Sequence, residues 1–171
     1  MPLLKNNQIT EDSWIFIEDD ATVPSIGNIV VSFEYLKNNF DALVMRQDSF
    51  GVRLDNDANA HDLEPYISKL ALIALHFPAF TDGRAYSQAR IITAQLKYTG
   101  ELRATGNVLA DQGVFMSRCG FDAFEIDTRH SPHLWINIAA TMSLSYQRGY
   151  RARAGFSPRE GAASRNIAPD A

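Results

Sequence analysis

Cysteine is almost missing from this sequence of 171 residues, since Cys119 is the only one. A single cysteine excludes a disulfide within the chain, a cluster of thiolate ligands and a Cys-x-x-Cys redox pair. No stretch approaches the ~20 consecutive apolar residues that a membrane-spanning helix needs. The first residues also lack the apolar core of a signal peptide. We therefore expect a cytoplasmic protein.

Positive charge is scarce over most of the chain. Five of the 16 basic residues but only two of the 20 acidic residues lie after residue 145, so residues 1–145 carry a net charge of -7. This balance argues against a nucleic-acid-binding body. Twelve of the 16 basic residues are arginines, which suit forked binding of carboxylates and oxyanions. Genome composition gives the same enrichment, so both explanations stay open.

The motifs of several common enzyme classes are also absent. The sequence contains no GxGxxG, Walker loop, GxSxG or HExxH. His130 and His133 flank Pro132 without a third ligand at a suitable spacing, so we predict no metal site. Cys119 falls on the apolar face of a predicted helix and is expected to be a packing residue. Any flavin or nucleotide requirement stays unknown at this point.

Strand and helix patterns alternate from residue 50 onward. We predict strands at 50–54, 70–77, 101–104 and 121–126, with helices at 62–69, 84–98, 107–119 and from residue 131. Four strand–helix units predict an α/β fold with a parallel sheet, half-barrel-like, although a small open doubly wound sheet fits the same pattern. Before them, strands at 14–17 and 28–33, which form a hairpin or an edge addition, precede a helix at 34–45.

We expect residues 1–146 to form a single α/β domain and residues 147–171 to form a flexible, Arg-rich tail. A half-barrel has open edges, so either dimerisation or cover from the N-terminal strands is expected.

Polar residues recur where the predicted strands end. The strand ends carry Asp55, His76, Arg103 and Glu125, and ligands of parallel α/β folds bind beyond such ends. An unpaired buried charge is costly, so Arg103 needs either an acidic partner, for which Glu125 is the natural choice, or an anionic ligand.

Two turns before helices add groups suited to an anion. Asp82 and Gly83 precede a helix that begins at Arg84, and Asn107 precedes the next one. A purely structural explanation makes Asp82 the helix cap and leaves Arg84 in solvent. Asp111 and Gln112 fall in the first turn of the second helix, where Asp111 also favours the helix dipole.

Two blocks carry a family resemblance: FPAFTDGRAYSQAR at 77–90 and GELRATGNVLADQGVFMSRCGFDAFE at 100–125. They resemble an uncharacterised bacterial domain family described as a probable oxidoreductase involved in sulfite reduction. Ala85 departs from the glycine common in the first block of that family. The resemblance implies a cytoplasmic role beside assimilatory sulfate and sulfite reduction. It carries over these positions: Asp82, Arg84, Tyr86, Ser87, Arg103, Asp111, Gln112, Arg118 and Glu125.

Two functions fit these residues. In the first, the protein is an oxidoreductase component that binds a small oxyanion at the rim, and its redox step needs a borrowed cofactor. Asp82 and Glu125 then handle protons, while the anion is bound by Arg84, Tyr86, Ser87, Arg103, Asn107, Asp111 and Gln112. In the second, the protein is a non-catalytic accessory or interaction protein for a sulfite-reducing enzyme.

Overall fold

The computed structural model describes residues 2–5, 8–19, 21–126 and 135. These residues form one eight-stranded sheet and three α-helices. The strands are β1 (Leu3–Lys5), β2 (Gln8–Thr10), β3 (Trp14–Phe16), β4 (Asn28–Ser32), β5 (Phe50–Leu54), β6 (Leu72–Phe77), β7 (Glu101–Gly106) and β8 (Ala123–Glu125). The helices are α1 (Phe33–Val44), α2 (Arg84–Arg90) and α3 (Gly113–Cys119). The predicted helix from residue 131 and the predicted tail at 147–171 lie outside the described residues.

Strands β3 to β8 lie side by side in chain order, and each pairs in parallel with the next. A doubly wound sheet requires a reversal of strand order, and the parallel strands of this sheet have none. The sheet is open and strongly curled, so the predicted half-barrel is confirmed. Strands β1 and β2, which the sequence did not predict, extend it antiparallel beside β8, whereas the N-terminal strands predicted at 14–17 and 28–33 are β3 and β4.

The connection between β2 and β3 shows how strongly the sheet curls. These strands are the two edges of the sheet, yet only residues 11–13 join them. Eight flat strands at ~4.8 Å spacing would put the edges ~34 Å apart. The chain from Thr10 to Trp14 reaches ~15 Å at most, at ~3.8 Å per residue. The curl therefore brings both edges close together.

The two faces of the sheet differ in what covers them. Alternate strand residues such as Val52, Leu75 and Leu102 join the helices in one large apolar core. On the opposite, concave face a small cluster forms around Val30, Leu72 and Ala74, with the rings of β3 against it. The guanidinium carbon of Arg103 lies 5.9 Å from the Phe16 ring centroid, although three strands separate β3 from β7. The concave face is therefore narrow.

Some local predictions need correction. The hairpin expected for the predicted strands at 14–17 and 28–33 is wrong, because β3 and β4 pair in parallel. The other alternative is confirmed, since β3 is an edge addition. The helix predicted at 62–69 is a 3₁₀ turn at Ala60–Leu63, because the Asn59 side chain accepts from the His61 amide and starts a tighter turn.

The two longer predicted helices are also interrupted. The one at 84–98 passes from α2 into a π-helical turn at Ile91–Gln95, where the Thr93 hydroxyl donates to the Ala89 carbonyl at 2.7 Å. The one at 107–119 begins with a 3₁₀ turn at Ala110–Gln112 before α3. Asn107 does not cap it, since the N-cap residue of that turn is Leu109; the backbone amide of Asn107 donates to the Phe77 carbonyl at 2.8 Å.

Candidate functional site

Polar side chains lie along the concave face in the carboxyl-terminal halves of β5 to β8, with Arg53 two positions below the level of the other three. Arg53 and Arg103 are both in register with Ala74, Arg103 is also in register with Ala123, and His76 is in register with Thr105. Strand alternation then puts four side chains on one face. This polar row comprises Arg53, His76, Thr105 and Glu125.

His76 is fixed in this row by the turn that ends β7. Gly106 has a φ of 86°, and a Cβ there would lie 2.7 Å from the His76 Cε1 and 2.9 Å from its Nδ1. The imidazole thus lies directly against a glycine whose backbone conformation is unfavourable for other residues. The neighbouring Thr105 hydroxyl is buried and donates to the Leu75 carbonyl at 3.3 Å.

Arg53 is the loosely paired arginine of the row. Its side chain is 32% exposed, and its Nη1 lies 3.9 Å from a carboxylate oxygen of Glu18, which is 72% exposed. An exposed pair at this distance contributes little. The guanidinium is therefore available to a ligand with two acceptor oxygens.

Arg103 is held quite differently, although it lies at the same level of the sheet as Arg53. Its side chain is 1% exposed, and its Nε and Nη2 donate to one oxygen of Glu101 at 2.9 and 2.8 Å. Its Nη1 donates to Asp12 at 2.7 Å, and Lys5 donates to the other Glu101 oxygen at 2.7 Å. We call these four residues the ion cluster. The acidic partner expected for Arg103 is thus present twice, as Glu101 and Asp12 instead of Glu125.

Asp82 and Arg84 form a separate, exposed pair on the turn before α2. The Arg84 Nε and Nη2 donate to the two Asp82 oxygens at 3.0 and 2.7 Å, and Asn56 donates to Asp82 at 2.7 Å. Bonding to the Arg84 side chain and amide lowers the pKa of Asp82 to about 2. A carboxylate with so low a pKa is a poor proton acceptor near neutral pH. Asp82 does not cap the helix, whose N-cap residue is Gly83.

Tyr86 lies in an aromatic stack on the helix side of the same rim. Its ring centroid is 5.2 Å from that of Phe77 and 5.0 Å from that of Phe115. Burial raises the pKa of Tyr86 to about 12. Phe115 is 53% exposed and Phe80 is 50% exposed, and the Gln112 side chain donates to the Phe80 carbonyl at 3.2 Å. One member of the stack, Phe115, is thus half-exposed.

The predicted site residues therefore divide among three places. Glu125 lies in the polar row and Arg103 in the ion cluster, whereas the others lie on the helix side. That last set contains the Asp82–Arg84 pair, Tyr86 and Gln112, and the exposed Ser87, Asn107 and Asp111.

Sequence reasoning missed Arg53 and the carboxylates of the ion cluster. Arg53 shows one usable signal, because it is the charged residue in an otherwise apolar strand. Asp12 shows none, since it lies 91 positions from the residue it binds.

Within the described part of the chain, no group of three or more His, Cys, Asp and Glu side chains is placed to hold a metal ion. Cys119 is buried on α3, as the sequence predicted, and burial raises the pKa of its thiol. None of the helices in the same residues is long and apolar enough to cross a membrane.

Comparison with known proteins identifies a family. The profile of a family of bacterial proteins of unknown function, DUF934, matches residues 51–156. Searches of curated proteins and of solved structures return no match. The matched segment contains β6 to β8, all of β5 except Phe50, and all of the polar row. Because it covers more than half of the sequence, the chain belongs to this family.

Proposed function

We propose that this member of the DUF934 family is a cytoplasmic protein that binds a small oxyanion and acts as an oxidoreductase component in sulfite reduction. The observation that supports binding is the polar row at the carboxyl ends of β5 to β8. Ligands of parallel half-barrels and barrels bind at that end of the sheet. The row combines a forked cation, an imidazole, a hydroxyl and a carboxylate within neighbouring strands.

Each member of the row has a role in this proposal. Arg53 donates two hydrogen bonds to the anion, and His76 donates a third from the next strand. Glu125 accepts a proton from a protonated anion, or returns one to it. Electrons come from a separate redox protein, so this chain holds the anion and manages its proton.

The proposal moves the anion away from Arg84 and Arg103. Arg84 is neutralised by Asp82, and Arg103 is neutralised by Glu101 and Asp12. An anion at either arginine would displace a carboxylate that is already well placed. Arg53 requires no such exchange, because its contact with Glu18 is long and exposed.

Sulfite as the anion is supported by the resemblance of the blocks at 77–90 and 100–125 to proteins associated with sulfite reduction. The second block contains β7, β8 and the Gly106 turn beside His76. Two members of the polar row, Thr105 and Glu125, thus lie in the second block, and His76 directly precedes the first.

Calorimetric titration of the purified full chain with sulfite, sulfate and phosphate tests the anion site. Arg53→Gln should weaken binding at least tenfold and keep the melting temperature, because the side chain is partly in solvent. Arg90→Gln, an exposed arginine on α2, is the matched control and should bind like the wild type. Equal affinity of the Arg53→Gln variant and the control would refute the site.

A second candidate function is that of an accessory protein for a sulfite-reducing enzyme. The half-exposed Phe80 and Phe115 at the rim favour it, since exposed apolar rings suit a protein contact. Under this function a Phe80→Ser, Phe115→Ser double variant loses co-purification with the reductase, whereas Arg53→Gln keeps it. The reverse result supports the anion-binding role.

A further inference from the structure

The carboxylate of Glu18 lies beside Arg53, on the concave side of the sheet. The pairing of β3 with β4 continues one residue past Phe16, through a backbone hydrogen bond beyond the end of the strand. In that register Glu18 falls opposite Ser32, and Ser32 is in register with Arg53. Strand alternation puts Glu18 on the same side as Phe16, whose ring lies on the concave face. The backbone thus places Glu18 at the level of Arg53.

This placement limits how far a bound anion can lie from a carboxylate. The Glu18 oxygen is 3.9 Å from the Arg53 Nη1, which is too long for a hydrogen bond. A ligand oxygen that accepts from this Nη1 at ~2.9 Å therefore lies within ~7 Å of the Glu18 oxygen. At that separation the negative charges of the ligand and the carboxylate repel each other, and a second charge on the ligand increases the repulsion.

The polar row also presents more hydrogen-bond acceptors than an anion without a proton can use. The Thr105 hydroxyl donates to the Leu75 carbonyl at 3.3 Å, so it offers lone pairs to a ligand. The Glu125 carboxylate accepts hydrogen bonds and donates none. Within the described part of the chain, no group forms a hydrogen bond with this carboxylate or with the His76 imidazole. A ligand that carries a proton can donate it to such an acceptor, whereas a fully ionised anion cannot.

We propose that the anion site selects oxyanions that retain a proton, such as hydrogen sulfite, over fully ionised sulfate, and that Glu18 determines this specificity. The inference rests on the anion site proposed above and adds the protonation state of its ligand. Arg53 attracts both kinds of anion. Glu18 repels the second charge of a dianion, and a neighbouring repulsive charge is a general means of rejecting a competing ligand.

Two small anions of the same shape and charge test whether the proton matters. In weakly acidic buffer, methylphosphonate is a monoanion with one proton, and methanesulfonate is a monoanion with none. Calorimetric titration of the full chain should show that methylphosphonate binds at least tenfold more tightly than methanesulfonate. Sulfite should exceed sulfate by a similar factor under the same conditions. Equal affinity for methylphosphonate and methanesulfonate overturns the proposal.

Glu18→Gln tests the residue that we hold responsible. The side chain is 72% exposed, so the variant should keep the melting temperature of the wild type. Sulfate should bind at least threefold more tightly to it, and the preference for sulfite over sulfate should fall at least threefold. Asp19→Asn is the matched control, because it removes the same charge from the next exposed residue, which alternation places on the other side. Its preference should stay within twofold of the wild type.

The Arg53→Gln variant distinguishes failure of this inference from failure of the anion site. Equal sulfite binding by Arg53→Gln and Arg90→Gln refutes the anion site and, with it, the specificity. If Arg53→Gln weakens sulfite binding but Glu18→Gln keeps the wild-type preference, the anion site stands and the role of Glu18 is overturned. An equal loss of preference in Asp19→Asn also overturns that role, because the effect would then come from net charge alone.

Discussion

Replacing Arg103 by methionine removes the centre of the ion cluster. The guanidinium is 1% exposed and donates three hydrogen bonds, two to Glu101 and one to Asp12. Methionine fills part of the volume but leaves both carboxylates with fewer partners. Breaking a buried ion pair by removing one member destabilises a protein by about 3–5 kcal/mol.

This loss is large beside the whole stability of a domain, which is about 5–15 kcal/mol. For a chain of this size, 1 kcal/mol shifts the melting temperature by about 2–4 °C. We therefore expect Arg103→Met to melt about 6–20 °C below the wild type. Urea unfolding, followed by circular dichroism and tryptophan fluorescence, gives the free energy directly.

Arg90→Met is the matched control, because that arginine is exposed on α2 and its loss should change stability by less than about 0.5 kcal/mol. A second variant, Arg103→Met with Asp12→Asn, removes one stranded carboxylate and should be less destabilised than the sum of the single variants. A loss below about 1 kcal/mol for Arg103→Met would refute the structural role that we assign to the cluster.

Three further predictions concern the rim. The pKa of Asp82 is lowered from 3.8 to about 2 by Arg84, so Asp82 stabilises the fold above pH 3.8 and loses that contribution as the pH falls towards 2. Carboxyl-detected NMR should show a titration midpoint near 2, which returns towards 3.8 in the Arg84→Gln variant. The pKa of Tyr86 is raised from 10.0 to about 12 by burial, so Tyr86 favours the fold below pH 10 and loses that contribution as the pH rises through 12. An absorbance titration should show one phenol that ionises near pH 12, and Phe115→Ala should bring its pKa back towards 10. Gly106→Ala, at a φ of 86° and against the His76 ring, should destabilise the fold by about 1–3 kcal/mol in urea unfolding, and a loss below about 0.5 kcal/mol would contradict the close packing of that ring.

The elements that could be predicted from sequence are those with strong local patterns. The strand β5 and the helix α1 lie within a residue of their predicted bounds, because apolar runs and helical spacing mark them clearly. The antiparallel pair β1 and β2 went unpredicted, since three-residue strands carry too short a pattern to recognise.

The site was harder to predict, because the register between neighbouring strands decides which of its side chains lie close together. His76 and Glu125 were correctly placed at strand ends, but the face on which each lies depends on pairing that no short pattern reveals. Arg103 was expected at the rim, but β7 continues to Gly106, so Arg103 lies two positions below Thr105, beside Ala74. Its partner Asp12 lies on a connection whose path is set by the curl of the whole sheet.

The short connection at 11–13 covalently limits the distance between the two edge strands of the curled sheet. Asp12 is part of that connection and also binds Arg103 on β7, an interior strand of the sheet. Inserting a few glycines into this connection would let the two edges of the sheet move apart while every strand keeps its neighbours. Insertions can thus change the distance between the two sheet edges separately from strand pairing. Each such insertion would also weaken the ion pair between Asp12 and Arg103.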